Sequence, residues 1–402
     1  MQVSAHNLSF TLTRLVGGLC CFAGVVWGFS AGNWFIGVGA AVVGLCFLAV
    51  STAPAVDPVK APSRTSVNRY SVGRSPNSVH SKQSSKDNST EMLVAEMLDQ
   101  GRYTLLLRTG IIENLSDSQR DAAQRMLTES MALTPAGRVM LSTATLAVSK
   151  SATSLIPIDL DATFIDRFPI SNREFEQFVS NGGYEQPSLW CADIQSMIGQ
   201  FVDQTGHPGP RFWWNGIYSD GEAELPVVGV NWYEASAYGR WVGKRLVSDP
   251  EWVKAASWPL ESPDGRIIQK NYPWGDNFEA SRANVWSSGN HRTTSIHRFA
   301  TGGSVGNVYD LIGNVWEWLH SDFDAWDDPR DRLATDEPMK SLRGGAFDTY
   351  FENQATCNFQ SGDNPLARRR NIGFRCAIAA SDLAITPGHD SEAAADSMDA
   401  TE

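Results

Sequence analysis

Charge is scarce in this chain, and positive charge is scarcer still. Only 19% of the 402 residues are charged, and the formal net charge at pH 7 is −12. A non-specific nucleic-acid binder needs a basic surface, so that class is excluded. Six cysteines are far too few for a disulfide-stapled mini-scaffold. The seven histidines are His6, His80, His207, His291, His297, His320 and His389, and no two stand at close metal-ligand spacing. Walker loops, nucleophile elbows and zincin patterns are absent. From Leu15 to Val56 no side chain is charged, and residues 381–402 contain no Lys or Arg.

What is present is uneven. The hydrophobic fraction of 42% suffices for a large core. There are 14 Trp, two in the uncharged N-terminal run and the other twelve between Trp190 and Trp326. Net charge runs +4 over residues 1–157, −10 over 158–380 and −6 over 381–402.

The uncharged run is too long for one membrane span of about 20 residues. Ser30-Ala31-Gly32-Asn33 interrupts it. After a 14-residue N-terminal segment, residues 15–51 therefore read as two short spans in a transmembrane hairpin, about Leu15–Phe29 and Trp34–Val50, with one span as the alternative. Arg14 precedes the run, and Lys60, Arg64, Arg69 and Arg74 follow it. Positive flanks on both sides place the soluble portion in the cytoplasm. Residues 52–90 are Ser-, Pro- and Lys/Arg-rich and read as a disordered basic linker. Residues 91–150 read as a small helical module, with a capping box at Ser116-Asp-Ser-Gln119 and apolar positions at Ala122, Ala123, Met126, Leu127 and Leu133. Residues 381–402 read as a disordered acidic tail.

Residues 158–380 hold the Trp cluster. Ser171-Asn-Arg-Glu174, Asn231-Trp-Tyr-Glu234 and Ser248-Asp-Pro-Glu251 each open a helix. Short apolar pieces lie between and after them, such as Pro226-Val-Val-Gly-Val230 and Gly373-Phe-Arg-Cys-Ala-Ile378. The pattern is α+β with much irregular loop. Buried Trp side chains are expected to hold the loops, their N–H groups bonded to loop carbonyls.

The order of these pieces carries a resemblance. Pro226-Val-Val-Gly-Val-Asn-Trp-Tyr-Glu-Ala235, Trp241-Val-Gly-Lys-Arg-Leu246, Glu251-Trp252 and Tyr272-Pro-Trp-Gly-Asp276 come first. Tyr309-Asp-Leu-Ile-Gly-Asn-Val-Trp-Glu-Trp318, Leu342-Arg-Gly-Gly-Ala346 and Ile372-Gly-Phe-Arg-Cys376 follow. The series resembles the sulfatase-modifying-factor family, whose founding member is the formylglycine-generating enzyme. The resemblance implies a variant of the C-type-lectin fold over essentially all of 158–380.

In the catalytic member two cysteines bind copper and activate oxygen to oxidise a substrate cysteine. Counted without gaps from the double glycine, those positions fall here on Thr349 and Gln354, and the family's serine falls on Ala346. Cu(I) favours soft thiolates, so copper chemistry is not expected. A relative that makes sulfur–carbon bonds uses a His-x-x-x-His-x-Glu iron site, a pattern absent here. The resemblance implies structural Ca²⁺ bound by Asp310, the carbonyls of Gly313 and Val315, and Glu317. Oxygen-only ligands suit that ion, and a capped turn without an ion is the alternative. Arg368, Arg369 and Arg370 sit near the family's substrate groove, where they could receive an acidic peptide or phosphate or be plain surface charge. The expectation is a membrane-anchored, non-catalytic binding or assembly module for a protein or glycan. The alternatives are an oxidase with an altered site, acting on a protein cysteine, and a structural subunit of a membrane complex.

Overall fold

A computed structural model describes residues 82–142, 155–323, 325 and 338–385, with side chains from residue 89 onward. The expected membrane hairpin at 15–51, the linker up to residue 81 and the tail beyond 385 lie outside the described residues. Among the described residues no helix is long and apolar enough to cross a membrane.

Four helices begin at capping boxes readable in the sequence. They are α3 (Asp117–Ser130), α4 (Asn172–Ser180), α5 (Trp232–Trp241) and α6 (Asp249–Ser257). Earlier come α1 (Lys82–Asp99) and the one-turn α2 (Tyr103–Leu106). At α5 the Asn231 side chain accepts the Glu234 N–H at 2.9 Å, and the Glu234 carboxylate accepts the Asn231 N–H at 2.8 Å. Two otherwise orphaned donors are thereby satisfied. Phe175 and Phe178, on one face of α4, are fully buried against Tyr238, Trp241 and Phe374. Each contributes about 1.5–3 kcal/mol through removal from water.

Two four-stranded sheets carry the domain. One has the order β1 (Met131–Thr134), β4 (Thr163–Asp166), β12 (Cys376–Ala379), β5 (Arg245–Leu246). The other has β10 (Gln360–Asp363), β9 (Lys340–Arg343), β8 (Trp316–Asp322), β11 (Ile372–Phe374). β2 (Gly137–Ser142) with β3 (Leu155–Leu160), and β6 (Leu260–Glu261) with β7 (Ile267–Ile268), form separate antiparallel pairs. β11 runs parallel to β8, while β12 runs antiparallel to β4 and β5. One extended segment thus passes from sheet to sheet at Arg375. Its guanidinium is fully buried and meets Glu317 of β8 at 2.6 Å.

Buried Trp side chains hold the loops as expected. Trp190 donates to the Gly183 carbonyl at 3.0 Å and Trp318 to the Val230 carbonyl at 3.2 Å, while Trp232 ties α5 to β8 through the Leu319 carbonyl at 2.7 Å. The double glycine supplies a turn closed to other residues. Gly344 has φ of 98°, and a Cβ there would stand 2.7 Å from the Leu311 carbonyl oxygen. The Gly344 carbonyl accepts the N–H of Gly313, itself at φ 83°, at 2.9 Å.

Three boundaries differ from the sequence expectation. Helix α1 begins at Lys82, inside the segment expected to be disordered. The expected helix through Leu133 ends at Ser130, because Met131–Thr134 pairs with β4 and buries Met131, Ala132 and Thr134, leaving only Leu133 exposed. Cross-strand pairing overrides the helical spacing there. The described part of the expected 91–150 module packs against the large domain. Arg102, Thr104 and Arg108 donate to the carbonyls of Trp241, Val242 and Gly243. Finally, Leu383 is buried and the Ala384 N–H bonds to the Leu107 carbonyl at 2.8 Å, so the start of the expected acidic tail belongs to the fold.

Candidate functional site

The segment after the double glycine is closed by oxygen and carbon. Ala346 is fully buried, and its N–H donates to the Thr349 hydroxyl at 2.8 Å. The Thr349 N–H returns to the Ala346 carbonyl at 2.9 Å, and the Trp286 N–H bonds to the Thr349 carbonyl at 3.1 Å. Gln354 is half-buried at the end of a single 3-10 turn, Glu352–Gln354. Thr349 thus serves as a turn lock, and neither it nor Gln354 offers a thiolate. Cys357 and Cys376 are buried free thiols. Burial pushes both far above the usual thiol range, Cys376 helped by the Asp166 charge. Cys191 is half-exposed, with Arg240 Nη2 3.4 Å from its sulfur.

Of the four residues implied for Ca²⁺, Asp310, Gly313 and Val315 lie in the segment before β8 and Glu317 lies on β8, and as placed they do not fit the ion. Glu317 Oε1 accepts Arg375 Nε at 3.0 Å and Nη2 at 2.6 Å. Its Oε2 accepts Arg375 Nε at 2.8 Å and Trp252 Nε1 at 2.8 Å. The carboxylate is saturated, and a guanidinium already holds the position a cation would take. The Gly313 carbonyl is engaged by the Val315 N–H at 2.9 Å. Asp310 accepts Asn314 Nδ2 on Oδ2 at 2.9 Å, while its buried Oδ1 has no partner. Burial first, then the Glu317 charge, pushes this carboxyl up to about 7 against the opposing Asn314 and Arg375. Among the described residues no cluster of three or more His, Cys, Asp or Glu is grouped to hold a metal.

The three consecutive arginines point three ways. Arg368 turns inward and ties loops together. It donates to the carbonyls of Gly229 at 3.0 Å, Val202 at 2.8 Å and Gly209 at 2.5 Å, and to Glu234 Oε1 at 2.9 Å. Arg369 is exposed and pairs with Asp363. Arg370 lies over the Phe212 ring, its guanidinium carbon 4.0 Å from the centroid.

Beside Arg368 and Arg370 opens a cavity of about 520 Å³. Its other lining residues, Gln200, Val202, Asp203, Gln204, Arg211 and Phe212, come from one irregular loop that sequence reasoning passed over. The missed signal is weak: Arg211 follows Pro210 in an aromatic run, and only the folded chain brings it to the same cavity as Arg370. Asp203 organises this loop. Its Oδ1 accepts the Thr205 N–H at 2.7 Å, the Thr205 hydroxyl at 2.7 Å and the His207 N–H at 3.1 Å; its Oδ2 accepts the Gly216 N–H at 2.7 Å. Burial alone would raise its pKa, but these donors win and hold it below the usual carboxylate range. Next to Arg370, Asn371 donates to Asp348 at 3.0 Å, joining the cavity's rim to the Ala346–Gln354 segment.

Fold, glycine turn and capped helices define a class before any name. Residues 117–380 match the family described as "Sulfatase-modifying factor enzyme 1-like domain", and the chain belongs to that family. It is 29% identical over 248 residues to "Inactive C-alpha-formylglycine-generating enzyme 2" of Bos taurus, covering 54% of this chain and 77% of the relative. It is 28% identical over 239 residues to "Hercynine oxygenase" of Mycolicibacterium thermoresistibile, covering 55% of this chain but only 51% of that protein. Among solved structures, "PvdO from Pseudomonas aeruginosa" aligns at 19% identity and a TM-score of 0.42, over 61% of this chain and 93% of that one.

Proposed function

We propose that the domain is a non-catalytic binding or assembly module. The observation that carries this is the Gly344–Cys357 segment, where Thr349 spends its hydroxyl on the Ala346 N–H and the nearest thiol, Cys357, is buried. A Cu(I) oxidase needs a reachable thiolate pair there. The similarity to an inactive relative is consistent with this reading. Around the same segment Trp286, Tyr350 and Phe351 are 44%, 67% and 60% exposed, an aromatic lip suited to holding a peptide or glycan partner. The full-length protein should bind no stoichiometric Cu(I) and take up no oxygen when offered a cysteine-containing peptide. Tight copper binding with oxygen uptake would sink the module in favour of the oxidase.

Residues 15–51 are proposed to anchor the protein in a membrane with the domain in the cytoplasm. The uncharged run and its positive flanks support this. A reporter fused after residue 402 should be active in its cytoplasmic form, and activity only in an exported form would reverse the topology.

A further inference from the structure

We infer that the cavity between the 200–212 loop and the 368–370 segment receives a single oxyanion, a phosphate monoester or a carboxylate carried by a peptide, through Arg211 and Arg370. This deepens the binding-module reading and rests on it.

The charges around the cavity sort into spent and free. Arg368 is matched by Glu234, and Arg369 by Asp363. Asp203 lines the cavity, but its oxygens are turned to four donors of its own loop. Arg211 and Arg370 are both exposed and have no carboxylate partner among the described residues. They come from distant segments and line one cavity. Arg368 locks these segments to each other, bonding the Val202 and Gly209 carbonyls of the loop from its place two residues before Arg370. Phe212 carries Arg370 on its face, which orders that guanidinium before a ligand arrives. Two planar forks with unused N–H groups match the oxygens of a carboxylate or phosphate. Gln200 and Gln204 add amide groups at the wall.

Size and field narrow the ligand. A volume of about 520 Å³ falls within the usual range for small-ligand sites, roughly 300–1,000 Å³. It exceeds the need of a bare ion and leaves room for the side chain bearing the anion. The chain as a whole carries −12, so a polyanion is repelled at every distance not screened by salt. Local pairing with two arginines can hold one oxyanion; it cannot overcome that field for an acidic run. Arg368 is a positioning residue, and Arg211 and Arg370 make the contact.

Calorimetry on the full-length protein tests this, with O-phosphoserine and N-acetylglutamate as probes and N-acetylserine as the uncharged control. At least one anion should bind saturably with a dissociation constant of about 1 mM or tighter, and the control should not. The anion that binds more tightly identifies the source of the oxyanion. Arg211→Ala and Arg370→Ala should each weaken binding about tenfold, since each removes a charge-assisted fork. Arg266→Ala, an exposed arginine on the β6–β7 turn, should not. Thermal melting of each variant checks that it is folded. Absence of saturation with both anions, or affinity that survives both cavity substitutions, overturns the inference. Neither result touches the copper measurement, whose positive outcome would overturn the non-catalytic reading whatever the cavity binds.

Discussion

The molecule uses arginine in two places and for opposite ends. In the interior, Arg375 at the crossing between the sheets and Arg343 at the end of β9 are buried and fully matched, one by Glu317 at 2.6 Å and the other by Asp249 at 2.6 Å. At the cavity, Arg211 and Arg370 are exposed and, among the described residues, have no carboxylate partner. In the first place a charge is confined by its partner and serves the fold. In the second it remains available to a ligand. The two deeply buried arginines fall within the recurring family motifs, whereas Arg211 falls in none. A motif that identifies the scaffold therefore says little about what the scaffold holds.

The sharpest break of this contrast is Arg375→Met. Glu317 would be left buried without its partner, and the carbonyls of Asp166 and Tyr309 would lose their donor. Breaking a buried pair costs about 3–5 kcal/mol, much of a domain's stability. Urea unfolding should show this loss, and a change below 1 kcal/mol would mean that the crossing is not held by charge.

Acid should expose the same dependence without mutation. Glu251 caps α6 through the Ser248 N–H and pairs with Arg245 at 2.6 Å. Burial alone would raise its pKa, but Arg245 and Ser248 pull it down to about 2 from 4.5. A folded pKa below the unfolded one means the stabilisation is complete above about 4.5 and is lost as pH falls through 2. The amount is about 3 kcal/mol, and Glu251→Gln should abolish that part of the pH dependence. An unchanged slope between pH 5 and pH 2, roughly the window of titration, would count against the pairing.

Asp310 should behave in the reverse sense. Its folded pKa, pushed up to about 7, lies above the unfolded value of 3.8. The protonated form is favoured by folding, so stability is present below the unfolded value and is lost as pH rises through 7. Asp310→Asn keeps the shape, tolerates the φ of 50° and removes the charge. At pH 8 it should stabilise the protein by about 1–3 kcal/mol, because a buried carboxylate charge gives way to a neutral amide. Were Ca²⁺ held there instead, the same substitution would destabilise, and a chelator would lower the melting temperature of the unsubstituted chain.

The scaffold was largely legible in the residues. Four capping boxes predicted four helix starts, because a cap is a local device of adjacent side chains. The family motifs predicted the fold because most close a tight turn or a helix start, and Ile372–Cys376 is the extended segment that passes between the sheets. What stayed hidden depended on distant partners. The spacing from Ala122 to Leu133 reads as helix, yet Met131–Thr134 forms a strand, because β4 stands beside it. Arg368–Arg370 reads as one basic patch, yet the chain turns its three side chains to three partners. Arg211 lies 159 positions before Arg370, a separation that no local pattern reports.

The smallest expected effect is the most discriminating. Arg211→Ala should leave stability within about 0.5 kcal/mol, as for a surface substitution away from any network. Arg370→Ala should lose its stack on Phe212 and thus about 0.5–1 kcal/mol. Neither removes a partner from a buried carboxylate, which separates them from Arg375. A loss at either position approaching that of Arg375→Met would place the residue in the fold, and the contrast between the two kinds of arginine would fail. A near-neutral melting temperature together with lost anion binding would assign both side chains to the ligand.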